Sequence, residues 1–112
     1  MAFDTYLTPT KLGRGAIGAT ISTFYTVPVL TRAFVKNIDI CNTTSTPMTV
    51  TLYLVESGGS AGAANTLIPG IMLPANGIYQ WTGTQILNAG DTIQAIASTT
   101  GSTLNASGAE AV

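Results

Sequence analysis

Histidine is missing from this chain altogether, cysteine occurs once, and charged residues fill only 8% of its 112 positions. Each shortage excludes something. Without histidine there is no imidazole to serve as general base or transition-metal ligand, and an ordinary Ser-His-Asp triad cannot be assembled. A single cysteine, Cys41, rules out an internal disulfide and reads as a small buried hydrophobe rather than a reactive thiol. The four basic residues, Lys11, Arg14, Arg32 and Lys36, are scattered, and the formal net charge is −1. Nucleic-acid binding needs a basic stripe to neutralise phosphates, so no such partner is expected. No run of about 18 apolar residues occurs, so no membrane span is expected. Met1-Ala2-Phe3-Asp4-Thr5 lacks the basic-then-apolar order of a secretion signal.

What is abundant points to a folded β-domain. Hydrophobic residues make up 46% of the sequence, which argues against disorder. The length fits one domain and is short for two. With so few charges, the polar surface must be threonine, serine, asparagine, glutamine and backbone. Such a surface has little like-charge repulsion to keep copies apart, which favours life inside an assembly.

The clearest pattern runs from Ala33 to Val55. Met48, Val50, Leu52 and Leu54 alternate with Thr49, Thr51, Tyr53 and Val55, the period of two expected of a strand. Upstream, Phe34, Ile38 and Ile40 fall on one face of a second strand, with Lys36 as an interruption. Asn42 to Pro47 is a polar turn, so the two strands read as a hairpin to which the rest is added. Further strands are expected at Ile21–Val27, ended by Pro28, at Leu67–Leu73, at Ile78–Thr82, after the Asn88–Asp91 turn, and, weakly, at Thr103–Val112. Residues 57–65 read as a flexible loop and Pro74–Gly77 as a tight turn with positive φ at Asn-Gly. No stretch keeps a helical period. Short strands separated by turn signals define an all-β sandwich or barrel. The expected organisation is an extended N-terminal arm over residues 1–20 and a sandwich over 21–112. An ordinary first strand is the competing reading for residues 1–20. Phe3, Tyr6 and Leu7 are the arm's candidate protein-interaction residues, because they stay exposed unless docked on something.

Tests for chemistry fail one by one. Gly13-Arg14-Gly15-Ala16-Ile17-Gly18 matches the dinucleotide fingerprint, with Asp39 downstream, but the mechanism needs a strand before and a helix after the glycines. Here Thr8-Pro9-Thr10 precedes and a β-rich run follows, so a flexible glycine segment is the expectation. The carboxylates Asp4, Asp39, Glu56, Asp91 and Glu110 show no spacing that pairs two across a sugar or gathers several around calcium. Asp91, after Gly90, fits a turn fixed through its own backbone. Trp81, Tyr79, Tyr25 and Tyr53 suit either an aromatic contact patch or the sandwich core, with the core preferred for Trp81. Asn42-Thr43-Thr44 and Asn105-Ala106-Ser107 match the glycosylation pattern but read as chance in a Thr/Ser-rich chain. No enzyme activity, cofactor or metal is expected.

Four short motifs occur in a telling order: Tyr25-Thr26-Val27-Pro28, Ile38-Asp39-Ile40-Cys41-Asn42, Gly90-Asp91-Thr92-Ile93 and Ser107-Gly108-Ala109-Glu110. Over residues 24–112 this order resembles small virion structural proteins of tailed bacteriophages. One departure is visible, since Pro28 is followed by Val29-Leu30-Thr31 where the pattern has a polar Gly-Lys turn. The resemblance implies a single antiparallel β-sandwich, jelly-roll-like, forming symmetric oligomers, often homotrimers, on the particle. The implied role is a capsid decoration or cement subunit. Its partners would be copies of itself and the major capsid protein or other virion proteins, and it would be made in a bacterial cytoplasm. A tail, collar or fibre module that binds a host-surface glycan is the alternative. The resemblance carries no catalytic residues.

Overall fold

The computed structural model describes residues 7–111. Their strands are β1 (Leu7–Ile17), β2 (Ser22–Thr26), β3 (Arg32–Asn42), β4 (Met48–Val55), β5 (Thr66–Leu73), β6 (Ile78–Leu87), β7 (Thr92–Ala97) and β8 (Ser102–Ala111), with a single 3₁₀ turn at Ala63–Asn65. They form two four-stranded sheets, ordered β1-β8-β3-β6 and β2-β7-β4-β5. All pairings are antiparallel.

The topology follows from one folding operation. Strand β1 pairs with β8, β2 with β7, β3 with β6 and β4 with β5, as in one long hairpin bent at the β4–β5 loop. Rolling that hairpin up adds the β3–β8 and β4–β7 pairs. The product is an eight-stranded jelly roll, so the expected fold class holds.

Within it, β3 and β4 do not pair with each other. They lie in different sheets, and the turn between them crosses the sandwich. The hairpin read from their alternation is therefore corrected: each strand buries one face, and those faces meet through the core instead of sharing a sheet. The turns at 74–77 and 88–91 cross between sheets in the same way, and among the described strands β4–β5 is the only sequence-adjacent pair in one sheet. The segment expected as an arm is also corrected over its described part. Leu7–Ile17 is an edge strand paired along its length with β8. The remaining arm residues Phe3 and Tyr6 lie outside the described residues.

The core is one cluster drawn from both sheets, including Ile38, Ile40, Val50, Leu52, Ile93 and Leu104, all fully buried. On β4 the expected alternation is seen as far as Leu52, with Met48, Val50 and Leu52 buried, but at the strand's end it is corrected, since Val55 is buried and Leu54 only partly so. On β3 the parity changes partway. Ala33 and Val35 point inward, and so do Ile38, Ile40 and Asn42, while Phe34 and Lys36 do not. The expectation that Phe34 shares a face with Ile38 fails because the register shifts at Lys36, which is an extra residue against β8 and faces two residues, Gly83 and Thr84, on β6.

The bulge at Lys36 has a counterpart in β1, where the register against β8 shifts between Lys11 and Gly13 and Leu12 is buried. Strand β8 runs between the two bulges with Gly108 at the pinch. A Cβ there would overlap the Phe34 carbonyl oxygen and come within 2.8 Å of Leu12 Cδ1. This strand, expected to be weak, is instead paired on both sides for its whole length. Gly108→Ala is expected to destabilise the fold by well over the roughly 1 kcal/mol typical of point substitutions, while Ala109→Ser stays near neutral. Urea unfolding of the two variants checks this.

Candidate interaction surfaces and the locks that hold them

The motifs that stood out in the sequence are hydrogen-bonded locks at the two ends of the sandwich. Asn42, at the end of β3, is fully buried. Its Nδ2 donates to the carbonyl oxygens of Thr46 (2.8 Å), Pro74 (3.1 Å) and Leu73 (3.3 Å). Its Oδ1 accepts from Thr44 N (2.9 Å) and Thr44 Oγ1 (2.7 Å). One side chain thus fixes the β3–β4 crossing loop and ties it to the β5–β6 turn, where Asn76 takes the expected positive φ. A buried amide is tolerated here because its hydrogen-bonding capacity is used.

At the other end, Asp91 closes its own turn as anticipated. Its Oδ2 accepts from Asn88 N (2.8 Å), its Oδ1 accepts from Ser57 N (3.0 Å), and its main-chain oxygen accepts from Val27 N (2.9 Å). Gly90 has φ +89, and a Cβ on it would meet Ser57 Oγ at 2.6 Å. The Gly-Asp pair therefore gathers the β2–β3, β4–β5 and β6–β7 connections.

The first and last motifs also meet. Tyr25 on β2 donates its hydroxyl hydrogen to Glu110 Oε2 on β8, a bond between the two sheets. Burial, then the hydrogen bond to Glu110, then its negative charge push the Tyr25 pKa well above its usual value.

Leu30 marks the departure from the resemblance. It has φ +56, a backbone region that favours glycine. Val29 and Leu30 are 82% and 87% exposed at the tip of this loop.

The glycine-rich fingerprint has a packing explanation. Gly13 and Gly15 belong to β1, and Phe24 of β2 lies against them, with its Cβ 3.1 Å from where a Gly13 Cβ would be and its ring 3.5 Å from that of Gly15. The expectation of a flexible glycine segment is corrected, because the bare backbone admits an aromatic ring. Asp39 sits on β3 and accepts a hydrogen bond from Asn37 Nδ2 (3.2 Å). Cys41 is only partly buried. Trp81, Tyr79 and Tyr25 are partly buried and packed against the core rather than presented as a patch. Among the described residues, no three His, Cys, Asp or Glu side chains come together to hold a metal ion. No helix among them is long and apolar enough to cross a membrane.

Leu7, the one candidate interaction residue within the described part, is 56% exposed. It lines a shallow groove of about 360 Å³ with Pro9, Phe34, Lys36, Gly108 and Ala109. The groove lies on the outer face of the β1-β8-β3-β6 sheet. Register puts Pro9, Ala109, Phe34 and Ile86 in one row across all four strands. The sequence reading missed Phe34 and Ile86. The bulge at Lys36 hid the first, and the second lies outside every strand expected from the sequence.

No family model matches the chain, and no curated protein matches it. Among solved structures, it resembles a chain in the structure of infectious bursal disease virus, Gx strain. The match covers 96% of this chain with a TM-score of 0.56 and 10% identity. At that identity the likeness is one of fold. This chain spans about a third of the other, 32% of its length.

Two outcomes test these locks. Above about pH 10 the unfolded chain releases the Tyr25 proton while the folded chain holds it, so the stability this group contributes is in place below that pH and is lost as pH climbs beyond it. Urea midpoints from about pH 9 to about pH 11 are expected to fall more steeply in the wild type than in Tyr25→Phe. Leu30→Gly, which removes the positive-φ strain, is expected to raise stability by about 0.5–1 kcal/mol, read from the same unfolding curves.

Proposed function

We propose that this chain is a structural subunit of a virus particle, and within that class a capsid decoration or cement subunit of a tailed bacteriophage. The observation that carries the reading is the apolar row on the outer face of one sheet, Pro9, Ala109, Phe34 and Ile86 with Leu7 beside it, on a chain with 8% charged residues. An exposed apolar row on a sheet face suits burial against a neighbour, at roughly 25 cal/mol per Å² of apolar area. The shared fold with a chain from a virus structure and the four motifs, all of which hold the scaffold and none of which do chemistry, support the same reading.

In this proposal the subunit acts as glue. Phe3, Tyr6 and Leu7 form the docking segment, the major capsid protein is the partner, and three copies act together so that weak contacts add by avidity. The protein is made in the bacterial cytoplasm and ends on the virion. The glycan-binding alternative, a tail, collar or fibre module, calls for Trp81 or Tyr79 standing free beside polar groups. Their packing against the core weighs against it.

The test uses shells that lack the protein, assembled from the same genome. Wild-type protein is expected to co-sediment with them and raise their heat resistance. Leu7→Asp is expected to cut occupancy at least about tenfold, the equivalent of 1.4 kcal/mol. Full occupancy for Leu7→Asp and for Phe3→Ala/Tyr6→Ala would remove the docking segment, and no binding by the wild type would remove the decoration role.

A further inference from the structure

The sandwich has four edge strands, and three of them are blunted against pairing with another chain. Strand β1 carries Pro9, Lys11, Arg14 and a bulge. Strand β2 has five residues and a register shift, and Pro28 follows it. Strand β5 is broken by Pro69-Gly70 and shifts register twice against β4. Such devices keep open edges from joining other chains. Strand β6 has neither proline nor charge in ten residues, Ile78–Leu87. It also exposes Ile78 (71%) and Ile86 (58%).

The sequence of this edge is close to self-complementary. We infer that β6 is a self-pairing edge, which joins β6 of a second copy antiparallel about a two-fold axis at Thr82. In that register Thr82 faces Thr82 of the second copy, Gln80 faces Thr84, and Ile78 faces Ile86. On the other face Tyr79 stands opposite Gln85, and Trp81 stands opposite Gly83, which the Trp81 ring of its own chain covers. The outward pairs match apolar with apolar at Ile78–Ile86 and polar with polar at Gln80–Thr84 and Thr82–Thr82. The pairing repeats twice by symmetry, as an isologous contact requires.

The one irregularity of the edge is accommodated. It is a bulge of β6 itself, where Gly83 and Thr84 together face Lys36, and the Trp81 ring of the same chain lies over the glycine there. Charges also fit. Lys36 Nζ donates to Thr84 Oγ1 (2.8 Å), and Asp39 lies opposite Gln80 in the sheet. The row through the junction therefore runs from Asp39 of one copy to Lys36 of the other, with no like charges meeting. The two four-stranded sheets become one of eight strands, with outward main-chain groups of β6 paired instead of solvated.

The inference stands apart from the virion role and is compatible with a three-fold, with which it gives a hexamer. Light scattering after size exclusion, across a dilution series, is expected to give an even multiple of the 11.5 kDa chain. Ile78→Lys/Ile86→Lys, both at exposed positions, places like charges opposite each other and is expected to halve the mass with the melting temperature retained. In a Cys41→Ser background, Thr82→Cys is expected to form a disulfide-linked dimer on mild oxidation. Gln80→Cys alone is not, but Gln80→Cys mixed with Thr84→Cys is. A wild-type monomer or trimer, an unchanged mass for the lysine variant, or cross-linking that ignores this register overturns the pairing. Ile86 also belongs to the row proposed for shell contact, so shell binding is read with Leu7→Asp and not with the lysine variant, and a failure to bind shells leaves the β6 contact standing.

Discussion

The fold depends on a close approach at one residue without a side chain. Strands β1 and β3 each carry a bulge where they pair with β8, and at Gly108 the Phe34 main chain and the Leu12 side chain close in on it. The bulges set the inward parity of Leu12, Val35 and Ile38, so they decide which residues make the core. They also turn Phe34 outward and so create the apolar row on the opposite face. A side chain at position 108 would separate the strands whose spacing fixes both faces.

Around that constraint the molecule divides its labour between apolar and polar parts. Apolar burial holds the sheets together over their length. The ends, where strands leave one sheet for the other, are held by polar groups whose hydrogen bonds are nearly used up: Asn42 at one end, and Asp91 with Val27 at the other. This suits a rolled hairpin, because its crossing loops have no ladder to satisfy their backbone. The Tyr25–Glu110 bond then fastens one sheet to the other between β2 and β8.

Much of this was legible in the sequence, and the failures have physical causes. Alternation at Met48–Leu52, the Asn-Gly turn, and Asp91 closing its own turn came through because each is local. Pairing did not. Alternation says which face is buried and nothing about which strand lies beside it, so two strands on opposite walls of the core look like a hairpin. The bulge at Lys36 broke the period that would have sorted Phe34 from Ile38. Gly13 and Gly15 read as looseness because the ring of Phe24, eleven and nine residues away, cannot be seen from the glycines alone. The interaction surface was glimpsed at Leu7 and otherwise missed, since its row is assembled from four strands distant in sequence.

The pairing of β1 with β8 has a consequence for how the chain is born. The first described strand has its partner in the last, and only β4 and β5 meet near neighbours. During synthesis β1 must wait, unpaired, until β8 has emerged, and the bond from Tyr25 to Glu110 cannot close before then. Non-local pairing of this kind slows folding and leaves strand edges open to other nascent chains. For such a topology the vulnerable interval is the one before β8 emerges, and a scarcity of charge makes that interval harder to survive alone.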